Sequence, residues 1–290
     1  MSQLAFTRRG RGAPIVLLHA LGSSRHSFDP IIPALAMQFD VIAIDLPGFG
    51  DSKPLPASVE PTPAALAAAV AEQLDQLGVR SPHLVGNSLG GWVALELAAR
   101  CTPASVTLLA PAGLWRRNTP LYDRASLQAT RWLTRHALRF LFRLVDFRLG
   151  RALVLGQTHG RPMHMTPQQA RAAIRSMATC PGFEATLKAT VNRRLLARAP
   201  IDAPVTVAFG SRDLVLLKSQ SRHVDQLPPR HSSRGAPRLR PPADGRRPDR
   251  RHEPHSAIQR SRRAGRTSGL SRTPTSGQVD IDAFSLPVLP

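Results

Sequence analysis

At 290 residues the chain is long enough for one large domain, or for a core domain carrying an insert. Its 42% hydrophobic content supports a packed core, while two cysteines, Cys101 and Cys180, are too few for a disulfide framework. No apolar run is long enough for a membrane span, and VLLHAL is too short for a signal peptide and follows strand-like residues. The expected setting is cytoplasmic, with no stable membrane span.

The formal charge of +20 raises nucleic acid as a partner, so its distribution matters. Residues 1–114 carry 7 basic and 8 acidic side chains, residues 115–198 carry 16 and 3, residues 199–229 carry 3 and 3, and residues 230–290 carry 13 and 5. The excess thus belongs to a middle insert and a tail. Only 3 of the 39 basic residues are lysine, a bias that GC-rich coding explains more simply than phosphate binding. Nucleic acid is not the first reading.

In chain order, LAFTRR at 4–9 reads as a short edge strand and PIVLLHA at 14–20 as a central parallel one. The second empties into His19-Ala20-Leu21-Gly22-Ser23-Ser24, a small-residue loop able to bring the backbone N–H of Leu21 beside a site. His19 is read as shaping this loop by hydrogen bonding rather than as a catalytic base. FDPIIPALAM at 28–37 has a helical apolar pattern, and DVIAIDLPGFGDS at 40–52 is strand then turn. PTPAALAAAVAEQLDQLGV at 61–79 follows as a helix, with prolines near its start and Gly78 closing it.

SPHLVGNSLGGWVALELAAR at 81–100 is the stretch around which the rest is arranged. HLVGN is a strand, WVALELAAR a helix apolar on more than one face, and Ser88 lies on the turn between them. Gly86 and Gly90 let backbone approach backbone there. A hydroxyl on so tight a turn projects above the sheet edge, open to a base on one side and a substrate on the other. The first helical amides lie beside it, ready to meet negative charge on a carbonyl oxygen. SVTLLAPAG at 105–113 adds a further strand, and the alternation predicts a parallel sheet covered on both faces.

From Leu114 to about Ala199 the pattern is amphipathic helix: 126–150, 166–179 and 183–198. Trp132, Leu133, Leu138, Phe140, Leu141, Phe142, Leu144, Val145 and Phe147 read as packing residues, with some lining an apolar acyl pocket; the arginines between them read first as a solvated face and second as a membrane-surface contact. PVTVAFGSRDLVL at 204–216 returns to strand, with Asp213 just beyond its carboxyl end, where a parallel sheet places functional groups. KSQSRHVDQLP at 218–228 begins a helix. Residues 229–290 have no apolar period and read as disordered.

Residues 14–228 resemble the α/β-hydrolase superfamily, in particular single-domain hydrolases with a helical lid inserted after the sixth strand. VLLHALGSS resembles the oxyanion loop, DLPGFGDS the turn after the next strand, VGNSLGG the nucleophile elbow and VAFGSRDLV the acid loop. The resemblance implies a doubly wound, mostly parallel α/β sheet. It divides the chain into core (1–114), helical lid (115–199), core again (200–228) and tail (229–290), with the last strand and helix missing. It makes Ser88 the nucleophile, Asp213 the group orienting the base, and Leu21 and Leu89 the backbone oxyanion donors. No cofactor or metal is implied, and the substrate is a small apolar acyl compound. Serine at the elbow argues against haloalkane dehalogenase and epoxide hydrolase relatives.

The family's base loop, resembling L-P-G-C-G-H-x-P, is absent. Its window holds Arg238, Leu239, Arg240, Pro241, Pro242 and Ala243, and proline can neither accept nor donate a proton. Read from the second base of each codon, however, residues 235–244 can encode Glu-Leu-Pro-Gly-Cys-Gly-His-Leu-Pro-Met, with the histidine overlapping Pro241. A frameshift between about Leu227 and Gly235 is the expectation. Among the remaining histidines, His223 and His231 lie nearest to the lost base, with His252 and His255 further on; an exposed, non-catalytic role is the plainer reading of each. The sequence therefore points to an esterase-like serine hydrolase impaired by loss of its histidine. The alternative is a non-catalytic basic protein that binds nucleic acid or an anionic surface.

Overall fold

A computed structural model describes residues 3–115, 119–191, 193–195, 201–209, 223 and 227, together with the backbone of 231–232. Its centre is a sheet of β1 (Phe6–Arg9), β2 (Ala13–Leu18), β3 (Phe39–Ile44), β4 (His83–Asn87), β5 (Ser105–Leu109), β6 (Val205–Ala208) and β7 (His231–Ser232). The spatial order is β1-β3-β2-β4-β5-β6-β7. Only β1 is antiparallel, laid along β3 so that Phe6 faces Ile44. Every other neighbouring pair is parallel, with Ile15 opposite both Val41 and His83, and Val106 opposite Val205.

Apolar runs such as IVLL form central strands because successive side chains point to opposite faces, and both faces are covered. Val16, Leu18, Ile42, Ile44 and Leu84 join the cluster that includes Leu66, Val70, Trp92 and Val93. These come from α2 (Pro63–Gln76) and α3 (Leu89–Ala98). Ile15, Leu17, Val41 and Ala43 pack the other way, against Phe28, Ile31 and Ile32. Thr62 caps α2, its hydroxyl accepting the Ala65 N–H at 3.2 Å, and Pro63 occupies the first turn, where a missing N–H costs nothing. The helical pattern read at 28–37 becomes a short 3₁₀ turn, Arg25–Phe28, and the one-turn α1 (Ile32–Leu35), in a stretch punctuated by Pro30 and Pro33.

Between β5 and β6 the described chain is helical: α4 (Leu121–His136), α5 (Leu138–Leu144), α6 (Arg148–Leu155), α7 (Pro167–Thr179) and α8 (Phe183–Val191). Leu141, Val145, Leu155, Ala170 and Ile174 give this region a core of its own, while Phe183 and Leu187 of α8 join the main core. The helical stretch read at 126–150 is three helices rather than one. Its second break is closed by Arg151, whose guanidinium donates to the carbonyls of Val145 at 2.8 Å and Asp146 at 3.2 Å, satisfying acceptors left at the end of α5. α7 opens with a reciprocal box: Gln169 N–H donates to the Thr166 hydroxyl at 3.2 Å, and Thr166 N–H to the Gln169 side chain at 2.8 Å.

Beyond β6 the sequence predicts that the last strand is missing and the chain disordered from residue 229; instead the backbone of His231–Ser232 pairs with Val205–Thr206 as the two-residue β7, an open sheet edge offering its unpaired backbone groups to the chain beside it. Asp213, the shifted-frame window and the rest of the expected tail lie outside the described residues. Among the described residues no helix is long and apolar enough to cross a membrane.

Candidate active site

Ser88 joins β4 directly to α3 with φ 50° and ψ −113°, a conformation that L-residues seldom adopt. Strain of this kind costs roughly 1–3 kcal/mol and persists only where the surroundings over-determine it. Here they do. The Ser88 N–H donates to the Leu109 carbonyl at 3.0 Å, and the Ser88 carbonyl accepts from Gly91 at 2.9 Å, Trp92 at 3.2 Å and Ala112 at 3.0 Å. A Cβ on Gly86 would strike the Gly90 carbonyl, and one on Gly90 would strike the carbonyl of Leu18. Glycine at both positions lets the first turn of α3 sit on the ends of β4 and β2, which brings Ser88 beside the loop leaving β2.

That loop is held from two directions. Ser23 N–H donates to the Ala20 carbonyl at 3.1 Å, making a turn around Leu21 and Gly22. His19 is fully buried, with Nδ1 2.8 Å from the Ala20 carbonyl and Nε2 accepting the Leu46 N–H at 3.0 Å. Burial pushes its pKa down, so the imidazole is neutral and Nδ1–H is the donor. With both nitrogens engaged, His19 shapes the loop. At the loop's far end the carboxylate of buried Asp45 accepts the Arg25 N–H at 2.6 Å and the Asp51 N–H at 2.9 Å, and pairs with the Arg25 guanidinium. Arg25 also reaches Asp51 at 2.8 Å. The turn after β3 is thereby tied to the loop after β2, a role for Asp45 and Arg25 that the sequence reading missed.

A cavity of about 540 Å³ lies over Ser88. Leu21 and Leu89 line it with Ser88, so three of the six residues singled out from sequence come together. Leu127, Leu155, Ile174 and Leu187 of the helical region supply apolar walls. His223 is not among the lining residues; it is half-buried, and its backbone N–H donates to the Leu114 carbonyl at 3.1 Å. The backbone of His231 lies in β7. Asp213 lies outside the described residues.

Sequence reading also missed the polar groups of the cavity. His26, His159 and His164 line it, as does the buried Asp123. His26 holds Asp29 on Nδ1 at 3.0 Å. His159 lies 2.9 Å from the Thr158 hydroxyl, and burial lowers its pKa to about 4, leaving a neutral imidazole at neutral pH. These positions carried no motif; only the folding of the helical region over the sheet brings His159, His164 and Asp123 to Ser88. Among the described residues no group of three or more histidine, cysteine or carboxylate side chains is placed to hold a metal ion.

The family described as alpha/beta hydrolase fold matches residues 13–236. The chain is 36% identical over 180 residues to epoxide hydrolase EphH of Mycobacterium tuberculosis, covering 58% of this chain and 81% of that protein. It is 32% identical over 206 residues to the pimeloyl-[acyl-carrier protein] methyl ester esterase of Neisseria meningitidis serogroup C, covering 69% of this chain and 75% of that one. In fold it is similar to a thermophilic esterase from Thermogutta terrifontis, with a TM-score of 0.61, 22% identity, and coverage of 81% and 84% of the two chains. Kinship thus reaches a protein named epoxide hydrolase, which the elbow serine was read as arguing against; the residue at one turn speaks to chemistry, whereas ancestry is carried by the whole framework. On the sequence match and the sheet together, this chain belongs to the alpha/beta hydrolase fold family.

Proposed function

We propose that the chain is an esterase-like serine hydrolase framework in which Ser88 is the nucleophile and the normal histidine base is lost. The observation that carries this reading is the strained Ser88 turn, opening into an apolar cavity at the first turn of α3. In the complete reaction the Ser88 hydroxyl oxygen bonds to the acyl carbon of an ester. The carbonyl electrons move onto oxygen, and the N–H groups of Leu21 and Leu89 donate hydrogen bonds to the oxyanion so formed. Leu89 opens α3, so its N–H is one of those with no intrahelical acceptor. Collapse breaks the ester C–O bond and releases the alcohol, and water then frees the acid from the serine.

The proton removed from Ser88 needs a base, and in this family Asp213 orients one. Neither His223 nor His231 has the support for that role that Ser88 has for its own. The helical region, residues 115–199, acts as the lid, and its apolar walls fit a small or medium acyl group. Oxyanion donors and binding alone leave about 10³–10⁴-fold catalysis over water. Hydrolysis of short-chain p-nitrophenyl esters tests the loss of the base: the expected result is a weak rate that Ser88→Ala lowers little further, because the serine has no group to take its proton. Rapid turnover by the unaltered chain that Ser88→Ala abolishes overturns the loss of the base.

A further inference from the structure

Nine of the eleven most exposed large apolar side chains among the described residues fall between Leu121 and Met163. Trp132 is 61% exposed, Phe140 62%, Phe147 70%, Leu149 78% and Leu153 79%. A solvated helix face does not have this composition. α6 is the clearest case, because it carries leucines on its outer side as well as on its inner one. It buries the Arg151 side chain on backbone carbonyls and holds Leu149 and Leu153, one turn apart, to the outside. Val154 and Leu155 of the same helix wall the Ser88 cavity.

Charge says what the outer face meets. Residues 119–191 contain 11 basic and 3 acidic side chains. The three acids are spent internally: Asp146 pairs with Arg171 at 2.6 Å, Glu184 lies 3.7 Å from Arg131, and Asp123 is buried. Arg135, Arg139, Arg143 and Arg148 are exposed and have no carboxylate partner among the described residues. They alternate along the chain with Phe140, Phe147 and Leu149. Short helices carrying exposed leucine and aromatic side chains beside arginines fit the boundary between lipid headgroups and acyl chains, where the apolar groups sink and the guanidinium groups meet phosphate. A nucleic acid offers phosphate, but no apolar layer for Leu149 and Leu153.

We propose that α4–α6 form a docking surface for an anionic lipid bilayer. Docking is independent of Ser88 chemistry; the corollary that acyl lipid enters the cavity past α6 rests on the hydrolase reading. Flotation of the full chain with vesicles of phosphatidylcholine containing about 30% phosphatidylglycerol tests the surface. The expected results are capture by these vesicles, little capture by pure phosphatidylcholine, and unchanged capture of Ser88→Ala. The exposed triple variant Phe147→Ser, Leu149→Ser, Leu153→Ser should fold normally by circular dichroism and lose at least about tenfold in bound fraction. Arg139→Glu with Arg143→Glu should do the same. Equal capture of wild type and triple variant overturns the proposal, since the basic segment 230–290 would then suffice. So does absence of capture, or a stable wild-type dimer that the triple variant dissociates, which would make a second copy the occupant.

Discussion

Gly90 lies directly against the carbonyl of Leu18, so the first turn of the helix after Ser88 rests on the end of the neighbouring strand with no space for a methyl group between them. Gly90→Ala must push α3 away from β2 or bend the elbow. Overpacking of this kind costs about 1–3 kcal/mol. Urea unfolding of the variant is expected to show that loss, whereas a midpoint equal to wild type would mean that the contact yields freely.

Burial lowers the pKa of both His19 and His159, the latter to about 4 from an ordinary 6.5. Between those values the unfolded chain binds a proton on His159 that the folded chain does not, so acid favours unfolding. Stability is whole above pH about 6.5 and declines toward pH 4, by at most roughly 3 kcal/mol for His159. Unfolding free energies measured across this range should fall more steeply for wild type than for His159→Gln. Parallel curves would place His159 in water rather than in an enclosed wall.

Arg131 is a buried bolt of the helical region. Its guanidinium donates to the carbonyls of Met177 and Cys180, the latter at 2.9 Å, and lies 5.1 Å from the centre of the Phe183 ring. Arg131→Ala strips one buried and one part-buried carbonyl of their donor and should cost about 2–4 kcal/mol. The loss is local to the helices that Arg131 joins. Hydrogen exchange should accelerate in α4 and α7 while β2 and β4 stay protected; uniform acceleration would instead make the helical region and the sheet one cooperative unit.

The sheet and the Ser88 turn were legible because their signals are local. IVLL and HLVGN announce strands by composition, and Gly86 and Gly90 announce a close approach within one turn of the serine. The second partner of His19, Leu46 coming to Nε2 from the turn after β3, was not legible, but the loop-shaping part of the histidine was, from its place just after a buried strand. Less local features were not. The break at 145–147 depends on a guanidinium reaching back from Arg151, and no periodicity records that. His159 and Asp123 reach the cavity only through packing of the helical region on the core. Trp132, Phe140 and Phe147, all exposed, read as packing residues because helical spacing shows that a face exists, without showing what it faces.

The coding sequence across residues 225–250 bears on the tail directly. A single-base shift between about Leu227 and Gly235 predicts codons whose second-base reading spells Glu-Leu-Pro-Gly-Cys-Gly-His-Leu-Pro-Met from Gly235. Codons that spell no such loop would remove the frameshift account while leaving the Ser88 site as described.

The proposed loss of the histidine base leaves this hydrolytic framework short of one component. Its most direct test is the rate of p-nitrophenyl butyrate hydrolysis by three chains: the present one, one re-encoded in the shifted frame from Gly235 onward, and the re-encoded chain carrying Ser88→Ala. Re-encoding is expected to raise the rate by at least about 10²-fold, the range of general-base catalysis, and Ser88→Ala to remove that gain. Equal rates for the present and re-encoded chains, or a gain that survives Ser88→Ala, would contradict it.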